Sequence, residues 1–266
     1  MTEPLVLSEP RPPALVLTMN RPDRRNALSR GLISALTDAF ERARDDASVR
    51  CVVLTGAGSV FCAGMDLAEL QATLDQPAES TPVWDDALRL GRLYDLIYTL
   101  PKPTIAAVNG AAVAGGAGMV TVCDLAVAAP EAKFGYPEVR RGLVAAMVMP
   151  HLLRHVGERM GRYLLLSGEL IDGQEAVRCG LINAVCPPGQ LLETALGWCR
   201  SLPEGGPNAL ASTKSLRHRF SRQALSVEEA SKASAAPRLG EECREGLRAF
   251  FEKRPAPWLA NPSEGR

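Results

Sequence analysis

The residues of this 266-residue chain that could do chemistry are two glycine-punctuated turns and one carboxylate. The first turn lies in Cys51-Val52-Val53-Leu54-Thr55-Gly56, a β-branched run that stops at a glycine loop before Ala63-Gly64-Met65 leads into a short helix. In the second, the apolar run 105–108 breaks at Asn109-Gly110, and small residues then enter a tightly packed helix at Gly115-Gly116. A strand-to-helix turn leaves free backbone N–H groups, and the helix dipole adds to their pull on negative charge. Gly115 and Gly116 carry no Cβ, so a ligand atom can come within reach of the backbone there. Two such turns on neighbouring parallel strands can aim two N–H groups at one oxygen, the donor pair of an oxyanion hole. The alternative is two ordinary helix starts. The carboxylate is Glu138, fixed locally by Pro137. In an apolar, substrate-covered pocket its pKa would rise toward the working pH, as general acid/base work requires. The plainer alternative is a surface glutamate paired with Arg140 or Arg141.

The elements that position these groups follow from periodicity. Ala14-Leu15-Val16-Leu17-Thr18-Met19 reads as a strand entering a loop over 20–26, and Ser29 as the N-cap of a helix with Leu32, Ile33, Leu36 and Phe40 facing the core. Further strands are expected at 51–55, 104–108 and 125–128, separated by helical patterns, which argues for a parallel sheet in an α/β arrangement. The 71–86 stretch, with Pro77, Pro82 and several acids, reads as irregular. Leu93, Leu96, Ile97 and Leu100 form a helical stripe that Pro101 and Pro103 stop. From Pro150 the chain reads mainly helical, with capping boxes at Asp172/Glu175 and Ser226/Glu229, a helix stop at Gly180, and amphipathic helices from about Leu202 onward.

Composition narrows the partners. Acids and bases balance at 30 each, so no polyanion partner is indicated, and the cluster 214–222 reads as one solvated helix face. No apolar run approaches the roughly 20 residues that span a bilayer, and the N-terminus lacks a secretory pattern. Seven cysteines without a C-x-x-C pair read as reduced, mostly buried thiols, so the expected location is cytoplasmic. His151 and His155 stand four apart without a third ligand, and read as helix surface or interface; no metal is expected.

The chain resembles the enoyl-CoA hydratase/isomerase (crotonase) superfamily. The likeness is carried by Asn20-Arg21-Pro22 with Asn26-Ala27-Leu28-Ser29, Phe61-Cys62-Ala63-Gly64-Met65-Asp66-Leu67, Asn109-Gly110 through Gly115-Gly116, Cys123-Asp124-Leu125, Pro137-Glu138 and the late Phe250-Phe251-Glu252-Lys253-Arg254, in family order. The resemblance implies a spiral of ββα units over residues 1–200 with the acyl-CoA site, and a helical oligomerisation region over 201–266 that makes a homotrimer or homohexamer. It implies that the backbone N–H groups of Met65 and Gly115 stabilise a thioester enolate and that Glu138 is the acid/base. Coenzyme A, as part of the substrate and not a separate cofactor, would meet Arg24, Arg25, Ala27, Ala63, Asp66 and Leu67, with Phe250 and Lys253 covering it from a neighbouring subunit. Lys253 could equally be a solvated lysine.

One departure stands out. Two-glutamate hydratases carry a second glutamate where this chain has Gly118, so Glu138 works alone or another acid (Glu69, Asp85 or Asp86) enters. The run Glu138-Val139-Arg140-Arg141-Gly142-Leu143-Val144 is similar to the branch that holds methylglutaconyl-CoA hydratase-like proteins. The implied activity is hydration of an α,β-unsaturated acyl-CoA; a double-bond isomerase of the same fold and a non-catalytic acyl-CoA-binding paralogue are the alternatives.

Overall fold

A computed structural model describes residues 3–72, 81–187 and 189–222, together with 245, 249, 252–255 and 257. Two sheets account for the strands among them. The first has six strands in the order β1 (Val6–Arg11), β2 (Ala14–Met19), β3 (Cys51–Gly56), β5 (Thr104–Val108), β7 (Leu125–Ala128) and β10 (Ala184–Val185). All its pairings are parallel except the β1–β2 hairpin at the edge. The second has four short strands in the order β4 (Val60–Cys62), β6 (Ala111–Val113), β8 (Lys133–Gly135) and β9 (Leu170–Asp172). The chain lays one strand in the large sheet, turns, lays one in the small sheet, and then makes a helix, so both sheets advance together as a spiral of ββα units.

Side-chain alternation builds both faces of the large sheet. Leu17, Met19, Val52, Leu54, Ala106 and Val108 point into the main core, while Val16, Cys51, Val53, Ile105 and Ala107 point to the opposite face. That period of two is what a strand buried on both sides requires. The main core takes α1 (Arg30–Asp45), α3 (Thr81–Thr99), α4 (Gly115–Val122) and α5 (Met149–Ser167); the other face takes α7 (Leu191–Ser201). The Ser29 hydroxyl accepts from the Leu32 N–H at 3.2 Å, and Leu32, Ile33, Leu36 and Phe40 are buried as their spacing predicts. The Asp172 carboxylate likewise caps α6 (Gly173–Arg178) through the Glu175 N–H, and Gly180 follows it at φ +81°.

One expectation needs correction. The 71–86 stretch is not irregular throughout, because α3 begins at Thr81; residues 73–80 lie outside the described set. Over 150–222 the chain is mainly helical, as expected, with the short strands β9 and β10 completing the two sheets. His151 and His155, read as helix surface or interface, are half-buried: His151 meets the Tyr98 ring edge-on at 4.6 Å, and His155 Nε2 donates to the Thr121 carbonyl at 2.9 Å. Among the described residues no group of three potential ligands could hold a metal ion, and no helix is long and apolar enough to cross a membrane. The Ser226/Glu229 signature, with Phe250 and most of 201–266 beyond Arg222, lies outside the described residues.

The helix α8 (Pro207–Arg222) is tied to the large sheet by a part-buried ion pair between Lys214 and Asp124, with Arg217 standing 3.5 Å from the same carboxylate. The Asp124 carboxylate takes Lys214, the Thr104 N–H at 2.9 Å and the Thr104 hydroxyl at 3.0 Å, while Lys214 also donates to the Lys102 carbonyl at 2.9 Å. Burial pushes the Lys214 ammonium below the ordinary lysine value, and Asp124 pulls it back. Asp124→Ala strands that ammonium and is expected to cost about 3 kcal/mol. Urea unfolding should show a lower midpoint at unchanged slope; a loss below about 1 kcal/mol would mean that water replaces the carboxylate.

Candidate active site

Local backbone geometry brings the two turns together. Residues 28 and 65 form a parallel bridge in which the Leu28 N–H donates to the Gly64 carbonyl at 2.8 Å and the Asp66 N–H to the Leu28 carbonyl at 3.2 Å. In such a bridge the middle residue turns its own N–H the other way, so Met65 directs its donor away from Leu28. On the second turn, Ala114 holds φ 52°, ψ −125° and Gly115 opens α4. The Gly118 N–H closes the first helical bond on the Ala114 carbonyl at 3.0 Å, which leaves the Gly115 N–H without an intrahelical acceptor. Neither donor bonds to another described residue.

Glycine makes the contact between these turns possible. Gly64 has φ +89°, and a Cβ there would stand 2.9 Å from Ala114 Cβ and 3.3 Å from the Gly115 nitrogen. A Cβ on Gly116 would fall 2.1 Å from the Cys62 carbonyl oxygen, a distance no side chain survives. The strand-to-helix turns expected from sequence are therefore broken by β4 and β6, whose pairing sets the two glycine segments face to face.

Glu138 sits in a 3-10 turn over Pro137–Arg141, with Gly142 in the left-handed region closing it. Arg140 points away, to the Ser167 carbonyl and Glu169. Glu138 makes no ion pair among the described residues, and its Oε2 is buried without a hydrogen-bond partner. Burial raises its pKa above the ordinary glutamate value, against the opposing pull of its own N–H and of Arg141.

Gly118 faces a neighbour that sequence reasoning missed. A Cβ at 118 would meet Val148 Cγ1 at 2.3 Å and the Tyr94 hydroxyl at 2.7 Å. Tyr94, buried on α3, donates that hydroxyl to the Gly115 carbonyl at 2.7 Å. Burial lifts the phenol well above the ordinary tyrosine pKa, and Cys62, Tyr136 and Glu138 push it the same way. The only sequence signal was a polar atom one position past Leu93 in an otherwise apolar helical stripe.

The first loop is zipped to the second. Asn26, fully buried at φ 52°, accepts from the Arg21 N–H and donates to the Ala57 and Val60 carbonyls at 2.9 and 2.7 Å. The Ala63 N–H donates to the Arg25 carbonyl at 3.0 Å. Arg24 and Arg25 are exposed, and their guanidinium groups make no hydrogen bond to a described residue. Asp66 is otherwise occupied: it pairs with Arg21 at 3.0 Å and caps α2 (Leu67–Gln71) through the Ala68 N–H. Arg21 also donates to the Ala27 carbonyl, while Leu67 is exposed. Lys253 is exposed at φ 50° and makes no hydrogen bond to either loop among the described residues; Phe250 lies outside them.

The family model of enoyl-CoA hydratase/isomerase matches residues 13–261. The chain belongs to the enoyl-CoA hydratase/isomerase family. A Thermus thermophilus protein provisionally named an enoyl-CoA hydratase is 43% identical, with 90% of this chain and 95% of that protein covered. The enoyl-CoA hydratase EchA19 of Mycobacterium tuberculosis is 38% identical, covering 94% and 95%. The crystal structure of an enoyl-CoA hydratase/isomerase from Marinobacter aquaeolei superposes with a TM-score of 0.89 at 34% identity, over 96% of this chain and 99% of that one.

In this member of the family a cavity of about 160 Å³ opens beside Met65. Ile33, Met65, Leu70 and Met147 give it apolar walls, and Arg30 and Asp86 a charged edge. Asp86 holds Arg30 through two bonds of 2.7 and 2.6 Å, and Glu69 accepts the Arg30 N–H at 2.8 Å. Both acids are thereby committed, and Asp85 is exposed; none replaces the missing glutamate. Glu138 and Gly115 are not among the cavity walls. Tyr94, which donates to the Gly115 carbonyl, lies about two turns along α3 from Asp86.

Two outcomes follow. Gly64→Ala should push Ala114 and Gly115 off their seat and lower kcat on an enoyl-CoA by about 100-fold, with circular dichroism unchanged; turnover within twofold of wild type would contradict it. Glu138→Gln should raise Tm by about 2 °C at neutral pH. The sign follows from the raised carboxyl pKa, whose stabilising share is full below the ordinary value and lost as pH rises through the raised one. The gain should vanish at pH 4 in thermal scans.

Proposed function

We propose that this chain is an enoyl-CoA hydratase that adds water to an α,β-unsaturated acyl-CoA. Support comes first from the buried, unpartnered Glu138 oxygen, electrostatically coupled to a tyrosine that is bonded to Gly115. The thioester oxygen accepts from the Met65 and Gly115 N–H groups, so its developing charge meets donors already in place. A water lone pair forms the C3–O bond as the double-bond electrons move through C2 onto the thioester oxygen, giving the enolate. The Glu138 carboxylate takes the water proton and returns it to C2, which regenerates the enzyme.

Arg24 and Arg25 suit the coenzyme A phosphates, since exposed guanidinium groups without partners keep their forks for a ligand. Ala27, Ala63, Asp66 and Leu67 shape the rest of that cleft through backbone and packing, and Phe250 and Lys253 would close it from a second copy. A cytoplasmic homotrimer or homohexamer, assembled through residues 201–266, completes the reading. Exposed Tyr163, Leu166 and Leu170 leave apolar surface for such contacts.

Gly118 favours a second reading, isomerisation of a β,γ double bond by a proton shuttle on Glu138 alone. Mass spectrometry in deuterated water separates them: hydration gives a 3-hydroxyacyl-CoA, isomerisation only a moved double bond with label at carbon. Glu138→Gln should lower hydration kcat by about 10³-fold, and kcat should rise with pH through a value above the ordinary glutamate one. Binding of crotonyl-CoA without turnover would leave only the acyl-CoA-binding paralogue.

A further inference from the structure

The cavity beside Met65 has the size and walls of a binding site for a hydrocarbon tail. Its volume of about 160 Å³ is close to the roughly 150 Å³ at which an apolar cavity takes up a six-carbon ring. Ile33 of α1, Leu70 of α2 and Met147 join Met65 in its walls. Two of these four are methionines, whose unbranched thioethers adapt to differently shaped occupants. Met65 also ties the cavity to the reacting end of a substrate. An oxygen that accepts from its N–H lies about 3 Å from the nitrogen, so the acyl carbons start beside a residue that forms the wall. The rim is charged but balanced, Arg30 and Arg89 standing against Glu69 and Asp86. Asp86 closes on the Arg30 guanidinium at 2.7 and 2.6 Å, and Glu69 on the Arg30 N–H at 2.8 Å. No net positive charge remains to draw a carboxylate inward, and a chain ending in one would lose water against two acids.

We propose that this cavity holds the tail of the acyl group and selects an uncharged 2-enoyl chain of medium length. The proposal rests on the hydratase reading above for the thioester oxygen at Met65. About six carbons beyond C3 fill the space, which makes a chain of about nine carbons. Crotonyl-CoA has a single methyl beyond C3 and leaves most of the cavity empty. Each further methylene taken out of water adds about fourfold in kcat/KM. The gain ends at the rim, where the next carbon meets the Arg30–Asp86 pair in place of an apolar wall. Ala87 and Met147 set that limit. Ala87 offers only a methyl from α3, and the Met147 sulfur lies against the same helix, 3.7 Å from where a Cβ on Gly91 would stand.

The test is kcat/KM of the wild-type protein on straight-chain 2-enoyl-CoAs of four, six, eight, ten and twelve carbons. Each two-carbon step should raise it by about 15-fold up to eight carbons, with no further gain beyond ten. A profile that is flat or falls from four carbons overturns the proposal, as does a rise that continues undiminished to twelve. So does an eight-carbon enoyl-CoA with an ω-carboxylate that turns over as well as the uncharged one. Ala87→Phe puts a ring into the space and should lower the ratio of eight- to four-carbon kcat/KM by at least about 10-fold. Met147→Ala widens the space and should carry the gain on to twelve carbons. Ratios unmoved by both substitutions overturn the proposal, and the wild-type series decides even where a variant fails to fold. If the wild type hydrates no enoyl-CoA, the hydratase reading falls and the pocket is read by calorimetry instead. Octanoyl-CoA binding about 100-fold tighter than butyryl-CoA then supports it, and equal Kd values overturn it. Hydration with a flat chain-length profile removes only the proposal.

Discussion

Backbone lies directly on backbone where the start of α4 meets the 62–64 turn, and much of the molecule serves that contact. No side chain fits between Gly116 and the Cys62 carbonyl, or between Gly64 and Ala114. The approach therefore depends on the small sheet, whose β4–β6 pairing carries the two segments at a fixed separation. The small sheet in turn depends on the large one, because each of its strands from β4 to β8 follows a large-sheet strand by only a few residues. Main-chain donors positioned this way need no reorganisation as charge develops, which is the property electrostatic catalysis rewards.

Polar groups near the site are sorted by burial. Arg30 at the cavity edge pairs with Asp86, and Arg21 of the first loop pairs with Asp66, so the two pairs tie α1 to α3 and the first loop to α2. Deeper in, burial raises the Glu138 carboxyl above the ordinary glutamate value and the Tyr94 phenol well above the ordinary tyrosine one. The arrangement leaves one buried carboxylate oxygen without a partner, at a cost in stability that falls on that residue.

Much of this was legible in the sequence wherever a periodic or steric signal was strong. Strands β2 and β5 and helix α1 follow their hydrophobic patterns residue for residue, and the capping residues Ser29 and Asp172 announce themselves. The two glycine turns and Glu138 could be picked out because few residue types tolerate those places. The short strands β4, β6, β8 and β9 could not, since three residues carry no period and their pairing is entirely tertiary. Strand β1 hid behind Pro10, which an edge strand tolerates because no partner asks for its missing N–H. Asn26 and Tyr94 were missed for a different reason. Each acts by touching segments distant in sequence, Asn26 across to Ala57 and Val60 and Tyr94 to Gly115, and no local pattern encodes such a partner.

Met65 divides its labour between its two ends. Its N–H points away from the Leu28 strand and bonds to no described residue, while the same residue contributes to the cavity wall. Main-chain donor and cavity lining are thus separate parts of one amino acid. A lineage could exchange the thioether for a bulkier or smaller group and reshape the cavity, and the main-chain hydrogen would be inherited unchanged.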